Sequence, residues 1–262
     1  MITAAALLVL ARALPPEAAV GLCRCLVLAY LLLRPDYRAE CGRNYRLVTG
    51  RRPGLFWIRN AWTVGRNLAL MARLGTRSAE TMVDRATVSS QNQAVTPLEQ
   101  NLHTTMATYH FGLWELLPGW FARAGRPVQL VVGRQRGAAF AGLLARLRGR
   151  AGVAVEPGLR AARTRREGPG ITGFMLDNTS QGGEAWAAVG GLRLRMPALA
   201  FRFGQGILQT AFARLDRGRL HIDVYRAGNE NEAAAALLEQ VRAHPEEWVF
   251  WAKDGAVQEI AD

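Results

Sequence analysis

The chain of 262 residues holds a single lysine, Lys253, so 32 of its 33 basic residues are arginines. That scarcity excludes a Walker A phosphate loop, which needs a lysine just before a Ser or Thr, whereas Lys253 precedes an aspartate. Cysteine is also sparse. Cys23, Cys25 and Cys41 are odd in number and crowded near the N-terminus, which argues against a disulfide framework. Cys23-x-Cys25 lacks the C-x-x-C spacing of redox and metal sites, so all three read as reduced, structural thiols. The histidines at 103, 110, 221 and 244 form no ligand spacing with one another or with the cysteines, and no metal is expected. There is no G-x-S-x-G, hence no elbow for a serine hydrolase. Neither strongly apolar N-terminal segment, 2–11 or 18–33, reaches the roughly 18–20 residues that span a bilayer, and the second carries Arg24.

What is present is more instructive. Half of the residues are hydrophobic, enough for one large α/β domain with a sizeable core, while two full domains would be a squeeze. The net charge of +12 favours phosphates, anionic lipid headgroups and acidic proteins. Arginine adds a forked donor that suits phosphate and carboxylate. Nucleic acid is not expected as a partner. There is no zinc-finger spacing and no RNA-binding aromatic signature, and the basic residues are dispersed rather than striped.

Pro15 and Pro16 separate the two apolar segments, and no basic residue precedes the first. This pattern favours an uncleaved helical hairpin, or a single tilted helix, lying in a membrane interface over a cleaved signal. Residues 1–33 are therefore expected to be a membrane-associated helical segment and 34–262 the main domain. Arg34, Arg38, Arg43, Arg46, Arg51 and Arg52 follow directly, the bias of a cytoplasmic juxtamembrane stretch. Residues 55–74 read as an amphipathic helix with Phe56, Ile58, Trp62 and Leu70 among its apolar positions. From about 101 the pattern becomes α/β, with strands at 102–109, 128–133, around GVAVEP, 171–176 and 220–226. Helices are expected at 138–150 and 231–244, and 197–215 is mixed. Strands alternating with helices imply a mostly parallel sheet covered on both faces.

Two motifs compete for attention. Gly168-Pro-Gly170-Ile-Thr-Gly173 matches G-x-G-x-x-G, but it leads into a strand instead of opening a helix, so it reads as a turn rather than a dinucleotide site. His110-Phe-Gly-Leu-Trp-Glu115 is stronger. His110 falls at the C-terminal end of an expected strand, where α/β folds place their sites, and Gly112 permits close approach. Positions i and i+5 point about 140° apart on one helix, yet across a strand-to-helix turn they can converge. A carboxylate beside an imidazole fixes its tautomer, as a general base requires.

HFGLWE resembles the H-x4-D/E motif of the lysophospholipid acyltransferase superfamily, closest to the late lipid A (lauroyl/myristoyl) acyltransferases. LLARLRGRAGV (143–153) is similar to the family's helix with an arginine four residues before a glycine, which falls on Arg148. GFMLDN (173–178) resembles its strand ending in Asp-Gln, with Asp177 matching and Asn178 in place of Gln. HPEEWVFWAKD (244–254) is similar to the closing HPEQW-W motif. The resemblance spans about residues 10–254. The chain departs at GRQRGAAF, which lacks the family's asparagine, and at AAVGGLRLRMP, which lacks a pair of phenylalanines.

The resemblance implies an α/β glycerolipid acyltransferase-like domain that moves an acyl chain from a thioester to a lipid hydroxyl without an acyl-enzyme or cofactor. His110 would be the base and Glu115 would orient it. The oxyanion would meet backbone N–H groups near Gly112 or an arginine. Arg148 would hold a phosphate or developing charge. Asp177 would be a partner of Arg148 or a plain strand-terminal turn residue. Trp114 and Phe111 would line the acyl channel, or simply pack in the core. The donor would be acyl-carrier protein, or acyl-CoA, with Arg160, Arg163, Arg165 and Arg166 as a basic docking face. The acceptor would be a lipid A precursor, at the cytoplasmic face of a bacterial inner membrane. Acylation of another glycolipid or aminolipid, or a catalytically inactive lipid-binding member of the fold, are the alternatives.

Overall fold

The structure, a computed structural model, describes residues 4–91, 102–132, 138–157, 169–177, 185–196, 201–202, 207–253 and 255–260. Helices lead the chain: α1 (Ala4–Ala13), α2 (Pro16–Leu32), α3 (Pro35–Thr49), α4 (Phe56–Met71) and α5 (Arg77–Asp84). Proline at the first helical position starts both α2 and α3, where its missing N–H costs nothing. Gly50, with φ 68°, ends α3 in the left-handed conformation that glycine adopts without strain. Then come β1 (Thr87–Gln91), β2 (Thr104–Thr108), α6 (Leu116–Arg123), β3 (Val128–Val132), α7 (Ala138–Arg150), β4 (Val153–Pro157) and β5 (Ile171–Met175). A hairpin of β6 (Ala185–Val189) and β7 (Leu192–Met196) precedes β8 (Ile207–Asp216), β9 (Arg219–Arg226) and α8 (Glu230–Ala243). Two 3-10 turns, Pro245–Glu247 and Val249–Ala252, lead to β10 (Val257–Glu259).

Seven strands form one sheet in the order β1-β9-β8-β2-β5-β3-β4, parallel throughout except for the β8–β9 hairpin. The expected mixed α/β single domain with a mostly parallel sheet flanked by helices is what the chain forms. The inner strands of this sheet serve two cores. On β8, Phe212 enters one core while Ala211 and Ala213 enter the other, and on β9 Tyr225 and Val224 divide in the same way. All five residues of β2 are buried, as a central strand covered on both faces requires. One core is closed by α3, α8, the 3-10 turns and a small antiparallel sheet, β10-β7-β6; the other is closed by α5, α6 and α7.

The two apolar N-terminal segments are helical, as α1 and α2. The arginine-rich stretch after residue 33 is the helix α3, with Cys41, Asn44, Tyr45 and Val48 buried against the body. Its apolar face has a helical spacing that its charges obscure. Helix α2 packs on α4 so closely that a Cβ on Gly65 would lie 2.5 Å from the Cα of Arg24. Among the described residues no single helix is long and apolar enough to cross a membrane, and α2 and α3 are bent 96° from one another.

Candidate active site

His110 lies just past the C-terminal end of β2, in a turn held from several directions. Gly112 has φ 59°, and a Cβ there would fall 2.0 Å from the carbonyl oxygen of Ala213. Only glycine fits so close an approach. The Gly112 N–H donates to Glu247 O at 2.9 Å, and that of Leu113 to Ala213 O at 2.6 Å. The C-terminal segment closes over the turn, with Val249 N–H donating to His110 O at 3.0 Å. That segment is carried by asparagines of the N-terminal helices. Asn60 donates to Glu246 O and Trp248 O, Asn44 to Trp251 O, and Asn67 to the Glu247 carboxylate at 2.5 Å.

The imidazole is oriented by Asp177. Nδ1 lies 2.6 Å from Asp177 Oδ1, while the His110 backbone N–H donates to Oδ2 at 2.8 Å. Trp248 Nε1 also donates to Oδ2, and Lys253 Nζ donates to the Asp177 carbonyl at 2.6 Å. A carboxylate accepts, so Nδ1 carries the hydrogen and Nε2 keeps its lone pair. Nε2 has no hydrogen-bond partner among the described residues, and the side chain remains one-fifth exposed. The ring edges of Trp114 and Phe250 stand around it at centroid distances of 5.1 and 4.8 Å. This is the arrangement of a general base. Burial pulls the Lys253 ammonium below its ordinary pKa, against the nearby Asp177 charge that raises it. Burial also pushes the Tyr109 hydroxyl well up.

Glu115 is not the partner of His110. Arg148 takes it in a bidentate pair, Nε to Oε2 at 3.0 Å and Nη2 to Oε1 at 2.6 Å, with both side chains nearly buried. Two expectations are thereby exchanged. Asp177 holds the histidine rather than Arg148, and Glu115 holds Arg148 rather than the histidine. The reason is directional. Glu115 directly precedes α6 and faces α7, whereas β5 is paired with β2 in register and delivers Asp177 beside His110. Arg148 is no surface phosphate hook, since its Nε and Nη2 are occupied. The N–H groups of 110, 111, 112 and 113 all donate within the protein, so none is free for an oxyanion as expected near Gly112.

Behind Trp114, a narrow and largely apolar cavity with about 40 Å³ of free space lies between β2, β3, β5 and α6. Met106, Trp114, Leu117, Phe121, Leu130 and Phe174 line it, and Glu115 with Arg148 supplies its charged wall. Trp114 lines this cavity and meets the His110 ring edge-on. Phe111 does not line it. It is buried in the other core, edge-on to Phe212.

Gly170 and Ile171 enter β5, in line with a turn leading into a strand. Gly168, Asn178 and the arginines at 160, 163, 165 and 166 lie outside the described residues. Sequence reasoning missed Trp248 and Lys253 as partners of Asp177. The signal was present, since the only lysine of an arginine-rich chain closes the HPEEW block. Among the described residues no group of His, Cys, Asp and Glu is arranged to hold a metal. No protein-family model matches this chain, and no curated protein matches it in sequence.

Proposed function

We propose that the protein is an O-acyltransferase in which the Nε2 atom of His110 takes the proton of a lipid hydroxyl as that oxygen attacks an acyl thioester. The observation that carries this reading is the Asp177–His110 pair with Nε2 open, its ring in edge contact with Trp114, which lines a narrow apolar cavity. Asp177 fixes the tautomer and stabilises the imidazolium; the cavity takes the acyl chain. The hydroxyl oxygen forms the new ester bond, the carbon–sulfur bond breaks, and the imidazolium returns its proton to the departing thiolate. No nucleophilic Ser or Cys of the chain is needed. Acyl-carrier protein or acyl-CoA is the donor, and a lipid A precursor the acceptor that the sequence resemblance favours.

The reaction takes place at a membrane surface, the cytoplasmic face of a bacterial inner membrane in this reading. Large exposed apolar side chains concentrate on and beside α1, α2 and α4, among them Val9, Leu26, Tyr30, Leu33, Leu55 and Trp62. Arginines stand among them, with Arg24 over the Trp62 ring at 4.6 Å and Arg34 over Tyr37 at 4.2 Å. A face that is apolar and cationic suits an anionic interface.

The test pairs a purified carrier-protein thioester with lipid acceptors in vesicles. Thiol release is expected in step with a new lipid ester found by mass spectrometry. Thiol release that yields only free fatty acid means a hydrolase, and none with either thioester overturns the reading. Flotation with anionic vesicles tests the surface; protein that stays behind overturns that part.

A further inference from the structure

Helix α5 has two unlike faces. Glu80 and Asp84 are both engaged by Arg123, the latter by a bidentate pair at 2.6 and 2.7 Å. The other stripe, Ser78, Thr81, Met82 and Arg85, follows the i, i+3, i+4, i+7 spacing of one helix face. Across an open groove it meets the tip of the β8–β9 hairpin, with Arg217, Gly218 and Arg219. The side chains of Arg85, Arg217 and Arg219 have no hydrogen bond or ion pair among the described residues, and all three are exposed. Asp216 is the only carboxylate in the hairpin turn.

The turn itself is unusual. Arg217 has φ 47° and Gly218 φ 82°, the pattern of a two-residue hairpin turn with both central residues left-handed. Asn, Asp or Gly takes the first of these places with least strain, and here a long cation holds it. Strain maintained at one exposed position calls for a use. The groove also sits at the reacting end of the sheet. β8 runs parallel beside β2, and Gly112 bridges to Ala213. The turn begins three residues further on, roughly 10 Å at about 3.3 Å per residue.

We propose that this groove is the docking surface for the acidic carrier protein that presents the acyl thioester to His110, a proposal that rests on the acyl-transfer reading. Three unpaired forks flanked by hydroxyls fit carboxylates on a protein helix. The groove lacks the exposed apolar side chains that mark the membrane-facing helices, so a protein and not a lipid surface is its occupant. A donor seated there delivers its thioester along the edge of the sheet while the lipid acceptor arrives from the face of α1, α2 and α4.

The test compares two donors on the full chain, an acyl-carrier protein thioester and a small uncharged acyl thioester. Reversing Arg85, Arg217 and Arg219 to Glu is expected to raise KM for the carrier thioester about tenfold or more, with kcat and small-thioester turnover kept. Arg217→Asn suits the turn better, so the fold should be at least as stable while carrier affinity still falls. Equal losses on both donors, or on neither, overturn the docking site and leave the function standing. If the unaltered protein turns over neither donor, the function fails and direct binding of the carrier protein decides. Binding that the Glu variant weakens and salt suppresses supports the groove; no binding, or loss of anionic-vesicle binding instead, overturns it.

Discussion

Two histidine–aspartate pairs share the same sheet, and they differ in what each leaves open. In the first, Asp177 takes Nδ1 of His110 and Nε2 remains without a partner among the described residues. In the second, His221 is bound at both nitrogens, Nδ1 to Thr87 Oγ1 at 2.8 Å and Nε2 to Asp223 at 3.1 Å. Ser89 donates to the same Asp223 oxygen at 2.5 Å, and Arg214 Nε lies 3.7 Å from the other. These contacts run across register neighbours of β1 and β9 and tie an edge strand to the sheet. The same residue types therefore leave a nitrogen open in one place, as the proposed base needs, and form a cross-strand brace in the other. The distinction lies in the unoccupied nitrogen.

Replacing each histidine separates the two most widely. His110→Ala is expected to slow acyl transfer by about 10²–10⁴-fold, the usual worth of a positioned base, with circular dichroism unchanged. His221→Ala should leave turnover intact and lower stability by about 1 kcal/mol, the scale of a lost hydrogen bond. Equal activity losses from both would dissolve the contrast. The aspartates sharpen it. Asp177→Asn places an amide against Nδ1 and frees the wrong tautomer, so kcat should fall at least about 10²-fold, while Asp223→Asn changes the unfolding midpoint only.

How far the sequence revealed this depended on the distance over which each signal acts. β2, β3, α7 and β9 fall where their patterns place them, because apolar periodicity is a local property. HFGLWE placed His110 at a strand end for the same reason, with strand, turn and glycine lying within a few residues. The carboxylate partner of His110 was not legible. Spacing suggested Glu115, five positions away, whereas the sheet brings Asp177 across 67 positions. Strand order is a long-range outcome of packing, and no local pattern states that β5 lies beside β2. Helix α3 was hidden differently. Arg38, Arg43 and Arg46 lie within it and Arg34, Arg51 and Arg52 flank it, yet the buried face of Cys41, Asn44, Tyr45 and Val48 needs only a narrow stripe.

The exchange of partners is tested through Glu115. Removing one member of a buried ion pair leaves the other charge unpaired and costs about 3–5 kcal/mol. Glu115→Ala should thus lower the denaturant midpoint sharply, and Arg148→Ala likewise. The double variant Glu115→Leu, Arg148→Met should recover most of that stability, since similar volumes of apolar side chain replace both charges. If Glu115→Ala instead abolished transfer at unchanged stability, Glu115 would be acting in the chemistry and the assignment of Asp177 as the sole orienting carboxylate would be wrong.

The smallest effect concerns acid, and it falls on the braced side of the comparison. His244, at the end of α8, is half-buried, and its pKa is lowered first by that burial and then by the Arg214 charge, with Glu246, Asp223 and Asp216 opposing. A lowered value means that the folded protein resists protonation. Between the ordinary 6.5 and the lower folded value, the unfolded chain holds more protons, so stability rises with pH there and is lost as pH falls. Glu247 works the other way. Burial raises its pKa above the ordinary 4.5, so its contribution falls as pH rises through that window. Urea midpoints measured from neutral pH downward should decline once pH drops below about 6.5. His244→Gln, which cannot take up the proton, should flatten that decline without touching the Asp177–His110 pair. A His244→Gln protein whose midpoint falls with acid as steeply as the parent's would show that the loss arises elsewhere.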